Sequence, residues 1–213
     1  MVEEAAAYGH LKRLFATTAK QEECSRLPAD EKYLISEAIA HKITHLQKTD
    51  GIFAEVQMPA FKTVLGLNRV MILEETNDPG NLGALIRTAL ALGWEGILLL
   101  GNCCDPFNDK ALRAAKGATF RIPIQQSSWA EILPLLDKKT QLVAADLEGT
   151  PLEEYPLRHG PLFLVMGNEA KGISAEAKVH CQKVTIPMHG PIESLNVAAA
   201  GAILLYKLGY YGK

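Results

Sequence analysis

From Arg69 onward the chain alternates short, wholly apolar runs with stretches of helical periodicity, and this alternation restricts the fold more than any other feature. The runs are Val70–Leu73, Gly96–Leu100, Phe120–Ile124, Leu142–Ala145, Leu162–Met166 and Val184–Ile186. A strand covered on one face alternates apolar and polar residues, whereas a strand that is apolar throughout is covered on both. Helical patterns fall between the runs, near Gly83–Leu92, Asp109–Lys116, Trp129–Asp137, Ala175–Cys181 and Val197–Leu208. The pattern predicts an α/β fold: a mainly parallel six-stranded sheet with helices on both faces. Ser128 and Glu131 have the spacing of a capping box, which would start the third helix.

Residues 1–58 read differently. A helical Ala/Leu opening, a short strand at Leu14–Ala16, a Ser36-capped helix through Ile43 and a strand over Ile52–Gln57 suggest a small α+β segment. Residues 59–68 read as a linker and 69–213 as the main domain. A chain of 213 residues has room for this division and little more. The small segment buries too little surface to be securely stable by itself.

Charge excludes bulk attraction to a polyanion. Lys and Arg number 22 against 24 Asp and Glu, for a net −2 that divides evenly on either side of Gly66. A nucleic acid would therefore need a local patch. Lys110, Arg113, Lys116 and Arg121, in a stretch from Lys110 to Ala130 without an acidic residue, are the candidate RNA-binding cations; a solvated helix face is the alternative.

The four cysteines include an adjacent pair and no C-x-x-C, which is neither a disulfide framework nor a zinc spacing and fits a reducing, cytoplasmic compartment. His41 and His45 lack a third ligand, so no metal is expected. No membrane is expected either. The opening Met1-Val-Glu-Glu-Ala lacks a basic leader region, and the longest apolar run, Leu195–Tyr206, falls short of the ~20 residues that span a bilayer.

Three stretches place polar residues after predicted strands, where open α/β sheets bind ligands. In the first, Glu74 to Arg87, Asn77-Asp-Pro-Gly80 forms a turn and Asn81 can cap the following helix. Arg87 is expected under two turns along that helix, close enough to grip an anion at its N-terminus. In the second, Gly167 and Gly172 bracket Asn168, Glu169 and Lys171, and glycine there allows close approach of a ligand to backbone. It matches neither a phosphate loop nor a dinucleotide fingerprint, so NAD and nucleoside triphosphates are not indicated. The third, Val184 to Tyr206, holds Ser194-Leu-Asn196 where a loop becomes an Ala-rich helix. Ser194 could cap that helix, and Asn196 is read as a buried amide in need of partners.

In this order and spacing the stretches resemble the three motifs of the SpoU (TrmH) family of RNA 2′-O-ribose methyltransferases, of the SPOUT class. The first pattern is met by Asn81, Gly83 and Arg87, the second by Gly167, Asn168, Glu169, Gly172 and Ile173, and the third by Ile186 through Val197. The likeness covers about Arg69 to Leu208. Leu34–Met58 resembles the second half of the L30e-like RNA-binding domain that precedes the catalytic domain in ribosomal-RNA members, whose first helix and strand are expected to be missing here.

The resemblance implies a C-terminal trefoil knot, S-adenosylmethionine as cofactor, a homodimer with a shared site, and RNA as substrate, ribosomal RNA ahead of transfer RNA. It implies that Gly167, Ile186, Met188 and Leu195 hold the cofactor, and that Asn81, Glu169, Ser194 and Asn196 orient one another, the ligand and Arg87. Arg87 also counts among the RNA contacts. A guanidinium with pKa above ~12 would cost roughly 7 kcal/mol to deprotonate at pH 7, so Arg87 is expected to grip the phosphate beside the reacting hydroxyl rather than serve as base. A non-catalytic RNA-binding or ribosome-assembly factor with the same fold is the alternative from another class.

Overall fold

The computed structural model describes residues 2–44, 49–190 and 194–210. It divides into two units, 1–60 and 61–213. The first contains α1 (Val2–Tyr8), β1 (Leu11–Ala16), α2 (Gln21–Arg26), β2 (Glu31–Leu34), α3 (Glu37–Thr44) and β3 (Ile52–Val56). Its sheet has the order β2-β1-β3, with β1 parallel to β2 and antiparallel to β3. The Ser36 cap forms as expected, its hydroxyl accepting from Ile39 N–H at 3.3 Å. The expected Ala/Leu opening helix and the strand ending at Ala16 are present as α1 and β1, and α2 and β2 are additional.

The second unit carries β4 (Arg69–Glu74), α4 (Pro79–Ala91), β5 (Gly96–Leu100), α5 (Asp109–Ala115), β6 (Ile124–Ser127), α6 (Trp129–Ile132), β7 (Gln141–Pro151), β8 (Leu162–Met166), α7 (Ala175–His180), β9 (Gln182–Thr185) and α8 (Val197–Tyr210). All six strands are parallel, in the order β6-β5-β4-β8-β7-β9. Successive residues of a strand point to opposite faces, and the fully apolar runs supply both. Met71, Leu73, Ile97, Leu99, Leu162 and Leu164 pack with Leu82, Leu85 and Ile86 of α4 and Leu204, Leu205 and Leu208 of α8. Val70, Ile72, Leu98, Phe163 and Val165 pack with Trp129 and Ile132 of α6 and Ala177 of α7. Among the described residues no helix is long and apolar enough to cross a membrane.

Several expectations are corrected. The run Phe120–Ile124 is not a strand: Ala118–Phe120 is a 3₁₀ turn, and β6 begins at Ile124 and continues through Gln125 and Gln126. β6 is an edge strand, half of whose backbone faces outward. The helix expected over Trp129–Asp137 stops at Ile132 and gives way to a 3₁₀ turn containing Pro134, although its capping box forms. Most of the expected linker belongs to the second unit. Lys62 N–H donates to Ile124 O at 2.8 Å, Val64 is fully buried, and Val64 N–H donates to the Gln125 side chain at 2.8 Å.

Two glycines set helix packing. A Cβ on Gly83 would stand 2.2 Å from Ala111 O, so α4 and α5 approach through that position, and one on Gly201 would stand 2.3 Å from the Leu85 side chain, which sets α8 against α4.

Candidate active site

Strands β4, β8, β7 and β9 end on an open cleft of about 1390 Å³. Asn77, Asp78 and Asn81 line it from the first motif, 166–173 from the second, and Ile186, Met188 and Ser194–Val197 from the third. Residues 191–193 of the third motif lie outside the described residues.

The start of α4 differs from expectation in a way that frees Asn81. Asp78, not Asn81, is the N-cap, and its carboxylate accepts from Asn81 N–H at 2.9 Å. The Lys110 ammonium, 2.8 Å away, and that N–H hold the Asp78 carboxyl below its usual range. The Asn81 side chain is left to face the cleft.

At the start of α8 the cap is likewise Asn196 rather than Ser194. Its Oδ1 accepts from Ala198 N–H at 2.9 Å and Ala199 N–H at 3.3 Å. A backbone N–H can only donate, so the Asn196 amide must present its NH₂ outward. That group donates to Asn81 Oδ1 at 3.1 Å, and Asn81 Nδ2 donates to Glu169 Oε1 at 3.2 Å. The three motifs thus meet in one directional chain from a helix backbone to a carboxylate. Asn196 is exposed, contrary to its reading as a buried amide. Ser194 lines the cleft nearby.

Asn168 fixes the loop that carries Glu169. Its Nδ2 donates to Glu75 O at 2.7 Å, its Oδ1 accepts from Ala170 and Lys171 N–H, and its backbone pairs with Gly172 in both directions. Gly167 is buried where a Cβ would meet Gly172 C at 2.4 Å and Ile173 N at 2.5 Å.

Glu74 is a participant that the sequence reading missed. It is 5% exposed, and its carboxylate accepts from Trp129 Nε1 at 2.6 Å, Ser174 Oγ at 2.5 Å and Ser174 N–H at 3.0 Å. It ties β4 to the starts of α6 and α7. Glu74→Gln should remove about 2 kcal/mol, because an amide NH₂ opposes donors and cannot accept from them all. The check is a thermal melt, in which a fall of roughly 4–8 °C is expected for a chain of this size.

Arg87 does not reach this cluster. It is exposed, does not line the cleft, and sits eight residues past Pro79, on the order of 12 Å along the axis. It cannot grip an anion at its own helix start. The other proposed RNA cations lie on or just after α5, the helix packed against α4. Lys110 pairs with Asp78 and Arg113 with Asp109 at 2.6 Å, so acids outside the stretch partly offset it. Exposed pairs of this kind are weak and exchange readily. Lys116 and Arg121 are exposed.

Burial pushes the pKa of the Cys181 thiol up to about 12, and burial with the neighbouring Cys103 pushes that of Cys104 up to about 11.

Residues 68–206 match the model of the SpoU rRNA Methylase family. The chain belongs to that family. SpoU relatives include the 23S rRNA (guanosine(2553)-2′-O)-methyltransferase RlmP of Bacillus subtilis, 33% identical over 192 residues that cover 86% of this chain and 77% of that protein. An uncharacterised tRNA/rRNA methyltransferase of Synechocystis is 36% identical over 82% of this chain and 66% of its own length. Among solved structures, the AdoMet-bound rRNA methyltransferase from Sinorhizobium meliloti superposes with a TM-score of 0.85 at 25% identity, covering 99% of this chain and 84% of that one. A TrmH-family protein from Porphyromonas gingivalis gives 0.84 at 29% identity, covering 97% and 85%.

Proposed function

We propose that this protein transfers a methyl group from S-adenosylmethionine to a ribose 2′-hydroxyl of RNA, ribosomal RNA before transfer RNA, in the cytoplasm. The observation that carries the reading is the Asn196–Asn81–Glu169 chain, which joins all three SpoU motifs at the cleft.

The cleft suits a nucleoside ligand. Ile186, Met188, Leu195 and Met166 give apolar walls, and the 186–189 backbone runs outside helix and strand. Gly167, Ile186, Met188 and Leu195 would hold the cofactor, whose sulfonium supplies an already activated methyl group. The chain of amides fixes the Glu169 carboxylate and the start of α8, so the polar side of the cleft is set before substrate arrives. Arg87 grips the phosphate next to the reacting hydroxyl.

A homodimer accounts for the position of Arg87. Ala199, Ile203 and Tyr206 form an exposed stripe on α8, with Ile203 42% and Tyr206 58% exposed. A second subunit against this stripe would cover it and deliver Arg87 to the partner's cleft. The family reading also implies a trefoil knot around the third motif, and an RNA-presenting role for the first unit.

The purified protein, given S-adenosylmethionine labelled on the methyl group, should label ribosomal RNA at a nucleotide that then resists alkaline cleavage. Calorimetry should detect S-adenosylhomocysteine. The absence of both heat and label at millimolar ligand would defeat this function.

A further inference from the structure

Two weakly exposed carboxylates in the second unit, Glu74 at the end of β4 and Asp146 midway along β7, are supplied with donors very differently. Glu74 has three. Asp146, with a side chain 13% exposed, accepts one hydrogen bond, at Oδ1 from Glu148 N–H at 2.9 Å. Its Oδ2 lies 3.6 Å from Lys183 Nζ, beyond hydrogen-bond distance, and Lys183 is shared with Glu148 at the same separation. A carboxylate has about four acceptor positions, and leaving most unfilled in a place with little water is unfavourable. Asp146 lines the cleft, so an occupant can supply what the protein does not.

The carboxylate is held in place. Ala145 and Thr150 both pair with Val184 of β9, so residues 146–149 are displaced from β7 as a bulge. A Cβ on Gly149 would lie 2.5 Å from Val184 C, so the return of the bulge is packed against β9 backbone. Bulges of this kind re-aim side chains beside binding sites. In the sheet, β7 lies two places from β4, on the order of 10 Å from the strand that leads to Asn81.

This inference rests on the methyltransferase reading and places the methyl-bearing end of the cofactor toward Asn81 and Glu169, the polar side of the cleft. The nucleoside end then lies toward β7 and β9. We propose that the Asp146 carboxylate accepts hydrogen bonds from the ribose 2′- and 3′-hydroxyls of the bound cofactor and so selects a ribonucleoside. A vicinal diol offers two O–H donors side by side, which match the two oxygens of a fixed carboxylate. The adenine amino group offers its hydrogens on a single atom.

The test is calorimetric binding of S-adenosylhomocysteine and its 2′-deoxy and 3′-deoxy forms. The wild type should lose roughly 10- to 100-fold in affinity for each deoxy form, as expected for hydrogen bonds to a charged group. Asp146→Ala should bind all three alike, near the wild-type affinity for the deoxy forms. Asp146→Asn, which keeps the turn through Oδ1, should lose most of the discrimination, while Lys183→Met should retain it. Continued discrimination by Asp146→Ala, or equal loss in Lys183→Met, overturns the role of Asp146. A wild type that binds none of the three ligands overturns the methyltransferase reading, and this inference with it.

Discussion

Gly167→Ala should cost the protein both stability and cofactor. The added methyl would meet backbone atoms of Gly172 and Ile173 at about 2.5 Å or less, and backbone cannot step aside as a side chain can. Overpacking of this kind costs about 3 kcal/mol or more, a fall of roughly 6–12 °C in Tm. The damage falls on the loop that Asn168 pins and that carries Glu169. Affinity for S-adenosylhomocysteine should therefore drop at least about 100-fold, well beyond the effect of a remote substitution of equal cost. Melting and calorimetry on the same preparation give both numbers. A variant with a lowered Tm and unchanged affinity would show that the loop does not shape the ligand site.

Arg87→Ala should do the opposite, leaving fold and cofactor affinity intact while methyl transfer falls by about 10³. An exposed arginine outside the cleft contributes little to stability, whereas in the role proposed for Arg87 its loss removes a charge-assisted phosphate grip and misplaces the reacting hydroxyl. If the site is shared, mixing Arg87→Ala with a subunit disabled by Leu195→Arg should restore part of the activity, because one composite site in the mixed dimer is complete. Confirmed subunit exchange with no recovery would place Arg87 and cofactor in the same chain.

The central strands were legible because their sequences carry no choice: β4, β5 and β8 are apolar on both faces and occur where the runs predict them. The misreadings cluster where that rule lapses. β6 sits at an edge and includes Gln125 and Gln126, so the apolar residues just before it drew the reading toward the wrong segment. β2, exposed at every residue, has no burial pattern to find. The site was legible as three motifs but not as an arrangement. Asn81 and Asn196 are 115 residues apart, and Asn81 and Glu169 are 88 apart. Which side chain caps a helix and which faces the cleft depends on where the helix starts. With the cap of α4 at Asp78 rather than Asn81, Asn81 is the centre of the hydrogen-bonded chain instead of a cap. Glu74 carries no distinguishing sequence signal, because acidic residues at strand ends are usually solvated.

The strand order also governs how the protein emerges from a ribosome. β4 pairs with β5, which follows it closely, and with β8, which follows roughly 90 residues later. At about 5–20 residues per second, the Val70–Leu73 edge waits on the order of several seconds for its second neighbour. An apolar parallel edge left open for that time invites pairing with other chains. The cleft is completed later still, when Ser194–Leu204 arrive, so cofactor cannot stabilise the nascent sheet during the interval of greatest exposure. Aggregation of this protein in rapid overproduction should accordingly respond to slower synthesis and lower temperature, and not to added S-adenosylmethionine.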